Sequence, residues 1–426
     1  MRKFFYLLFA LTATYTLSAQ ATLSRVLILN EGYYDYFTET IVTPVSVGAY
    51  DPASGIYTTI HTIDGARFAS DIVVDDDYYF VAADDQLLQY DRFSDELLHS
   101  ATVPGIRKIA LSGDMLILSR GEYLQTFDDY VEVFDKHTLS FQYAVPNTEI
   151  AFATEGIVTL DGKAYIAVNN GFDFGNEVGM VAVLDVAGGS IDDIIDLGPN
   201  GINPDNIMLS EDHIYTLNNK DYTGSSVSAI TIGDNIASTI DLENISAGCG
   251  TSVYFNDAVY YQELFGTSLS KYDPVSASIE DETEFGQSFY ALAFEPLSGD
   301  MYTSETDFFS YGIIHIYHDG VEISSFDAGV SPGNIVFDLR TATGIQEENV
   351  MQFGISPNPA STNTQVHSAI DMQDLYVSDL TGRVLLEKNN VHAADADLHL
   401  EELVPGNYFI TVSTAEGTST QLFIKL

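Results

Sequence analysis

The chain has 426 residues, enough for two domains or one large repeat array, and 62 acidic residues against 16 Lys and Arg give it a formal charge of −46. A field of that sign repels phosphate backbones and anionic headgroups, which argues against nucleic-acid binding and peripheral membrane binding. The acids are scattered and 46% of residues are hydrophobic, so the pattern is that of a folded chain whose charge serves solubility, a saline habitat or cation binding.

Residues 1–21, MRKFFYLLFALTATYTLSAQA, read as a secretory signal peptide. Arg2 and Lys3 form the charged region, Phe4 to Ala13 the apolar region, and small residues near Ala19 or Ala21 offer a cleavage site. No cysteine follows the apolar run, so no lipid anchor is expected. That run is too short to cross a bilayer, and no later stretch approaches about 18–20 apolar residues, so no transmembrane segment is expected. The lone Cys249, in SAGCGTSV, cannot form an internal disulfide and reads as a small buried strand residue.

Over residues 22–340 helical periodicity is almost absent. A short apolar strand, a tight polar turn and an aromatic strand recur instead, as in DIVVDDDYYFVA, KIALSGDMLILS, GIVTLDGKAYIAV, NIMLSEDHIYTLN, SVYFNDAVYYQ, ALAFEPLSGDMYTS and NIVFDLR. Anchored at Ile72, Ile109, Ile157, Ile207, Val253, Leu292 and Ile335, the copies are spaced by 37, 48, 50, 46, 39 and 43 residues. A period in the forties with four short strands per unit is the pattern of β-propeller blades. A second repeat, in YDPASG, YDRFSDE, FDKHTLS, LDVAGGS and YDPVSAS, places an aspartate straight after a strand, where it can accept the N–H two residues on and close a hairpin.

After the seventh anchor no further strands precede an acidic stretch. The missing ones stand at the other end of the chain: RVLILNEG, VSVGAYDP and IYTTIHTI read as the second, third and fourth strands of the last blade. The expectation is an all-β, seven-bladed β-propeller closed by its N-terminal strands, which removes two exposed sheet edges. On these motifs the segment resembles surface-layer (YVTN-type) propeller repeats, through NPDNIMLSEDHIYTLNN and GKAYIAVNN. RVLILNEGYY followed by YDPASG is similar to the opening of a family of exported Bacteroidetes propellers that begin with Asn-Glu-Gly.

Residues 341–352 are polar and acidic, as expected of a linker. Residues 353–426 alternate with period two in LYVSD, RVLLE, YFITV and QLFIK, with turns at Thr381-Gly382 and Pro405-Gly406, which predicts a small β-sandwich. Pro357 and Pro359 fix φ and forbid helix, so the chain is expected to enter the first strand extended. This tail resembles the type A C-terminal sorting domain of the type IX secretion system. The match runs through Pro357, Asn358, Pro359 and Ala360, through Asp379, Gly382, Arg383 and Val384, through Leu403, Gly406 and Tyr408, and through the closing LFIKL. The resemblance implies the secretion machinery as a partner, export across the outer membrane, removal of the tail, and release or attachment at the cell surface.

In four-stranded blades the loops after the second and fourth strands share one face. Here the second-to-third connections are long, aromatic and acidic, and long loops on a rigid scaffold carry function disproportionately. Their candidate ligand-binding residues are Glu31, Tyr33, Tyr34, Tyr36, Asp128, Phe172, Asp173, Phe174, Glu177, Asp221, Tyr222, Asp307, Phe308 and Phe309. Asp71, Glu155, Asp205, Asn206 and Asn334 fall at the expected channel mouth, where oxygen ligands could hold a divalent cation. The pattern fixes no cofactor; calcium is the candidate, as a channel cation or in GFDFGNE, whose spacing matches no regular calcium loop. His315 and His318, three apart on a strand, face opposite sides and make a poor metal pair. No catalytic residues stand out: the chain lacks a phosphate loop, a nucleophile elbow and a His-Glu-x-x-His. Three readings follow: a surface protein capturing a small ligand of the glycan or corrinoid class, the corrinoid by analogy with related propellers; a hydrolase or lactonase with a channel metal; and a structural or adhesive surface protein.

Overall fold

The computed structural model describes residues 21–220, 224–242, 251–263, 265–341, 353–379, 382–414 and 417–426. The expected signal peptide, Cys249, the linker interior, Asp221, Tyr222 and Thr381 lie outside them. The fold is all-β, and the chain divides into two compact units, Ala21–Thr341 and a C-terminal one.

Among the described residues the larger unit holds seven four-stranded antiparallel sheets built like propeller blades. Six are consecutive meanders. Their innermost strands are Ala69–Val74, Ile106–Ser112, Thr154–Leu160, Pro204–Leu209, Ser252–Phe255 and Leu292–Phe294. The seventh is ordered Pro332–Thr341, Ala21–Asn30, Val45–Asp51, Ile56–Ile63, so the two ends of the unit share one sheet. Each innermost strand packs on the next, and Pro332–Thr341 packs on Ala69–Val74, which closes the cycle. The predicted closing strands stand where the sequence put them. A hairpin of Tyr33–Asp35 and Thr40–Thr43, read from the sequence as a loop, is inserted between the first two of them.

The core lies between neighbouring sheets. Val26 and Ile28 pack with Tyr302, Ile314 and Ile316 of the sixth sheet, while Leu27 and Leu29, on the opposite face of the same strand, pack with Ile72, Tyr79 and Val81 of the first. A strand covered on both faces needs apolar residues at every position, which is why RVLILN reads as a run rather than an alternation. The repeated aspartates act as their spacing predicts. Asp51, Asp91, Asp135, Asp185 and Asp273 each accept the backbone N–H two residues on, at 2.8–3.1 Å.

One clasp strengthens the closure. Asp338 is fully buried and accepts from Arg25 at 3.0 Å, Arg92 at 2.6 Å and Arg340 at 2.7 Å, and Arg25 also pairs with Asp95 at 2.8 Å. Burial works against its charge, but the hydrogen bonds from Arg340 and Arg92 outweigh it and hold the carboxyl below the usual range.

In the C-terminal unit five strands form one sheet. The layers of the expected sandwich are joined through two long strands with register shifts, Asn363–Ser378 and Val384–His399, and the unit has a single core. The Pro-Asn-Pro step follows a first strand, Phe353–Ser356, and both prolines are preceded by cis bonds. Asn358 donates to Leu422 O at 3.0 Å and accepts from Ile424 N at 3.0 Å, so its side chain pairs with the last strand as a backbone would. Ala360 continues that pairing with a parallel bridge to Lys425. Gly382, at φ +86°, turns the chain within an Asp379–Arg383 loop, and the hydroxyl of buried Tyr408 donates to Val404 O at 2.7 Å, just before Gly406.

Candidate ligand-binding site

The two residues before each repeat anchor are Ser70-Asp71, Arg107-Lys108, Glu155-Gly156, Asp205-Asn206, Thr251-Ser252, Tyr290-Ala291 and Gly333-Asn334. Because the innermost strands run side by side round the ring, these positions meet at one level. Almost all of them line a cavity of about 900 Å³. Its walls are completed by the loops after second and fourth strands: Glu31, Tyr36, Arg67, Phe68, Glu122, Tyr123, Gln125 and Phe172.

Of the residues expected on the loop face, Glu31, Tyr36 and Phe172 line this cavity, together with the channel residues Asp71, Glu155, Asp205, Asn206 and Asn334. Phe174, Phe308 and Phe309 are exposed beyond it. Ring contacts tie several loops together: Tyr34 to Tyr36 at 4.8 Å, Tyr33 to Phe309 at 5.1 Å, Tyr290 to Phe308 at 4.9 Å and Tyr123 to Phe174 at 6.1 Å. Phe172 is half-buried, with the Arg107 guanidinium 5.0 Å from its ring centre and its edge filling the space that Gly121 leaves open. Packing accounts for much of that ring.

The loop acids have work inside their own loops. Asp307 accepts Phe309 N and Ser310 N at 2.9 and 2.7 Å, and those hydrogen bonds hold its carboxyl below the usual range. Asp173 accepts Asn176 Nδ2 at 3.0 Å, Glu177 accepts Gly175 N at 2.9 Å, and Asp128 is exposed and outside the cavity lining.

The channel residues join neighbouring sheets. Asp71 accepts Ile72 N at 3.0 Å and Ile109 N at 2.8 Å; Arg107 grips Glu155 with two bonds of 3.0 Å; Asn206 donates to Ser252 O and Oγ at 2.7 and 2.8 Å. A divalent cation would have to compete with these partners. Among the described residues no group of three or more His, Cys, Asp or Glu is arranged to hold a metal. His315 sits between Glu305 and Glu322 at 3.3 and 3.2 Å, whereas exposed His318 pairs with Asp300 at 2.6 Å.

The Asn30-Glu31-Gly32 motif sets one wall. Asn30, fully buried, donates to Ser46 Oγ at 3.2 Å and Tyr57 OH at 3.0 Å and accepts Gly329 N at 2.9 Å. Glu31 N and Gly32 N then bond Ser331 O and Val330 O at 2.9 and 3.0 Å. Gly32, at φ +75° and against Thr43 O, is where a side chain would both strain and clash. So fixed, Glu31 reaches Gly333, whose lack of a Cβ makes room for the carboxyl, and accepts the Tyr290 hydroxyl at 2.8 Å. Burial pushes this carboxyl up to about 7, against the hydrogen bond from Tyr290 and the nearby charges of Lys108 and Arg107. Burial likewise raises Asp71, opposed first by Lys108.

Sequence reasoning missed Arg67, Arg107, Lys108, Glu122, Tyr123 and Tyr290. The signal for Arg107 and Lys108 was present in their position before the anchor Ile109, but a search for cation ligands passes over cations. Arg67 is held by Asp84 at 2.8 Å and reaches Glu122 at 3.4 Å.

Residues 354–425 match the secretion system C-terminal sorting domain. The tail is a type IX secretion sorting domain, and it directs the protein to the cell surface or out of the cell. No curated protein sequence matches the chain. Many solved structures resemble it, among them two from Bacteroides thetaiotaomicron. One is the extracellular domain of a protein described as a one-component system from B. thetaiotaomicron, at 12% identity and TM-score 0.50, covering 96% of this chain and 59% of that one. The other is a quinonprotein alcohol dehydrogenase-like protein from Bacteroides thetaiotaomicron, at 16% identity and TM-score 0.54, covering 75% and 79%. This chain thus spans about three fifths of the length of the first. At such identities the likeness speaks for the propeller-like fold. No helix among the described residues is long and apolar enough to cross a membrane.

Proposed function

We propose that the chain is a secreted or cell-surface binding protein that captures a small glycan in the cavity ringed by its seven innermost strands. The observation that carries this reading is the mixed character of the lining, where Arg67, Arg107, Lys108, Glu31 and Glu122 alternate with Tyr36, Tyr123, Phe68 and Tyr290. A sugar ring presents a C–H face suited to an aromatic ring and a rim of hydroxyls suited to planar charged groups. Rim aromatics from different sheets, Phe174 and Phe309 among them, extend the surface on which a longer chain could lie.

The test is a thermal-shift and calorimetric screen of the exported protein with cellotetraose, xylotetraose, mannotetraose and chitotetraose. A ligand bound only by the native state must raise the melting temperature. Failure of every sugar to do so sinks the glycan reading.

A further inference from the structure

Three glutamates line the cavity, and they are held differently. Glu155 takes both arms of Arg107 at 3.0 Å and Glu122 takes Arg67 at 3.4 Å. Glu31 forms no ion pair among the described residues; its hydrogen-bond partner is the neutral hydroxyl of Tyr290, 2.8 Å away. The position is built rather than incidental. The Asn30 side chain and the main-chain bonds of Glu31 and Gly32 fix the backbone on the closing strands, and only a glycine at 333 leaves space for the carboxyl.

We propose that Glu31 contacts the ligand as a neutral carboxylic acid, offering its O–H to a ligand oxygen, so that this one residue tunes how tightly the cavity holds its ligand. The inference rests on the glycan reading, since hydroxyl and glycosidic oxygens supply the acceptor. The groups facing Glu31 are Tyr290 from the segment before the sixth sheet, Arg107 and Lys108 from Ile106–Ser112, and the backbone at Gly333. Lys108 is shared: its Nζ donates to Ser70 O at 2.7 Å and its charge also acts on Asp71. Burial outweighs both cations and pushes the acid up to about 7. The neutral acid donates; the anion can only accept, and it would meet the lone pairs of a ligand oxygen. Loss of the proton therefore removes one bond and adds a repulsion.

Affinity of whichever of the four tetrasaccharides binds is expected to fall about tenfold between about pH 6 and about pH 8 in the wild-type protein, following the fraction of neutral acid. Glu31→Gln cannot titrate, and its affinity should be the same at both pH values. Equal wild-type affinity at the two values, or an undiminished pH slope in Glu31→Gln, overturns the inference and leaves the glycan reading standing. Absence of binding by all four sugars overturns the glycan reading and the ligand contact with it. A ligand-free ¹³C titration of the Glu31 carboxyl separates the cases: a midpoint near 7 supports the neutral acid, and one near the ordinary glutamate value overturns it.

Discussion

The strands Ala21–Asn30 and Pro332–Thr341 meet a carboxyl near each end of their pairing, and the two carboxyls are treated in opposite ways. Asp338 is buried among Arg25, Arg92 and Arg340 and is held below its usual range; Glu31 is given one phenol and two cations at a distance, and is pushed up to about 7. Asp338 sits in the closing sheet and Glu31 just past the end of its second strand, and both lose water. What differs is the number of charged donors in contact, so at the clasp the anion is compensated and at the cavity it is not. A compensated anion serves closure of the ring, and an uncompensated one is available for binding.

The largest effect should come from removing the closing strand. Deleting residues 22–32 takes away Val26, Leu27, Ile28 and Leu29, all fully buried, each worth about 1.5–3 kcal/mol by burial alone, and reopens the ring. No cooperative unfolding transition is expected; a truncated protein that melts near the full-length temperature would break the closure side of the comparison. Next comes Asp338→Ala, which removes the buried anion shared by three guanidiniums and should cost about 3–5 kcal/mol in denaturant titrations. A cost below about 1 kcal/mol would mean the clasp is decorative.

The pH dependences sharpen the contrast because their signs differ. Asp338 has a lowered folded pKa, so its stabilisation is present above the unfolded value of 3.8 and is lost as pH falls through the folded one. Glu31 has a raised folded pKa, so its contribution is present below 4.5 and is lost as pH rises through about 7, by roughly 3 kcal/mol at most. Glu31→Gln should therefore gain on the wild type in melting temperature between about pH 5 and about pH 8, a gap that stays constant if the acid is ordinary. The smallest effect on stability belongs to Phe174→Ala with Phe309→Ala. Both rings are about two-thirds exposed, at 64% and 65%, so the melting temperature should hardly move while tetrasaccharide affinity drops. A large stability loss would assign these rings to loop packing.

Much of the fold was legible because it depends on local pattern. The anchors, the tight polar turns and the aspartates after third strands each encode a hairpin within about ten residues, and the surplus strands at the N-terminus had one incomplete sheet to complete. The sorting tail was legible for a related reason: Pro357, Asn358, Gly382 and Tyr408 each fix a particular turn or strand end, and few other residues would serve. The Tyr33–Asp35 hairpin was not legible, since its strands are short and flanked by the same aromatics and acids that mark the loops.

The candidate site was legible only in outline. The sequence alone determined that polar residues precede several of the anchors and that long aromatic loops follow the second strands, because strand alternation and repeat length fix both. Only the tertiary structure decided which charges meet. Tyr290 reaches Glu31 across 259 residues and Arg25 reaches Asp338 across 313, and no local pattern encodes those partners. A carboxyl's charge state depends on burial and on donors within a few ångströms, and ring closure brings those donors from opposite ends of the chain.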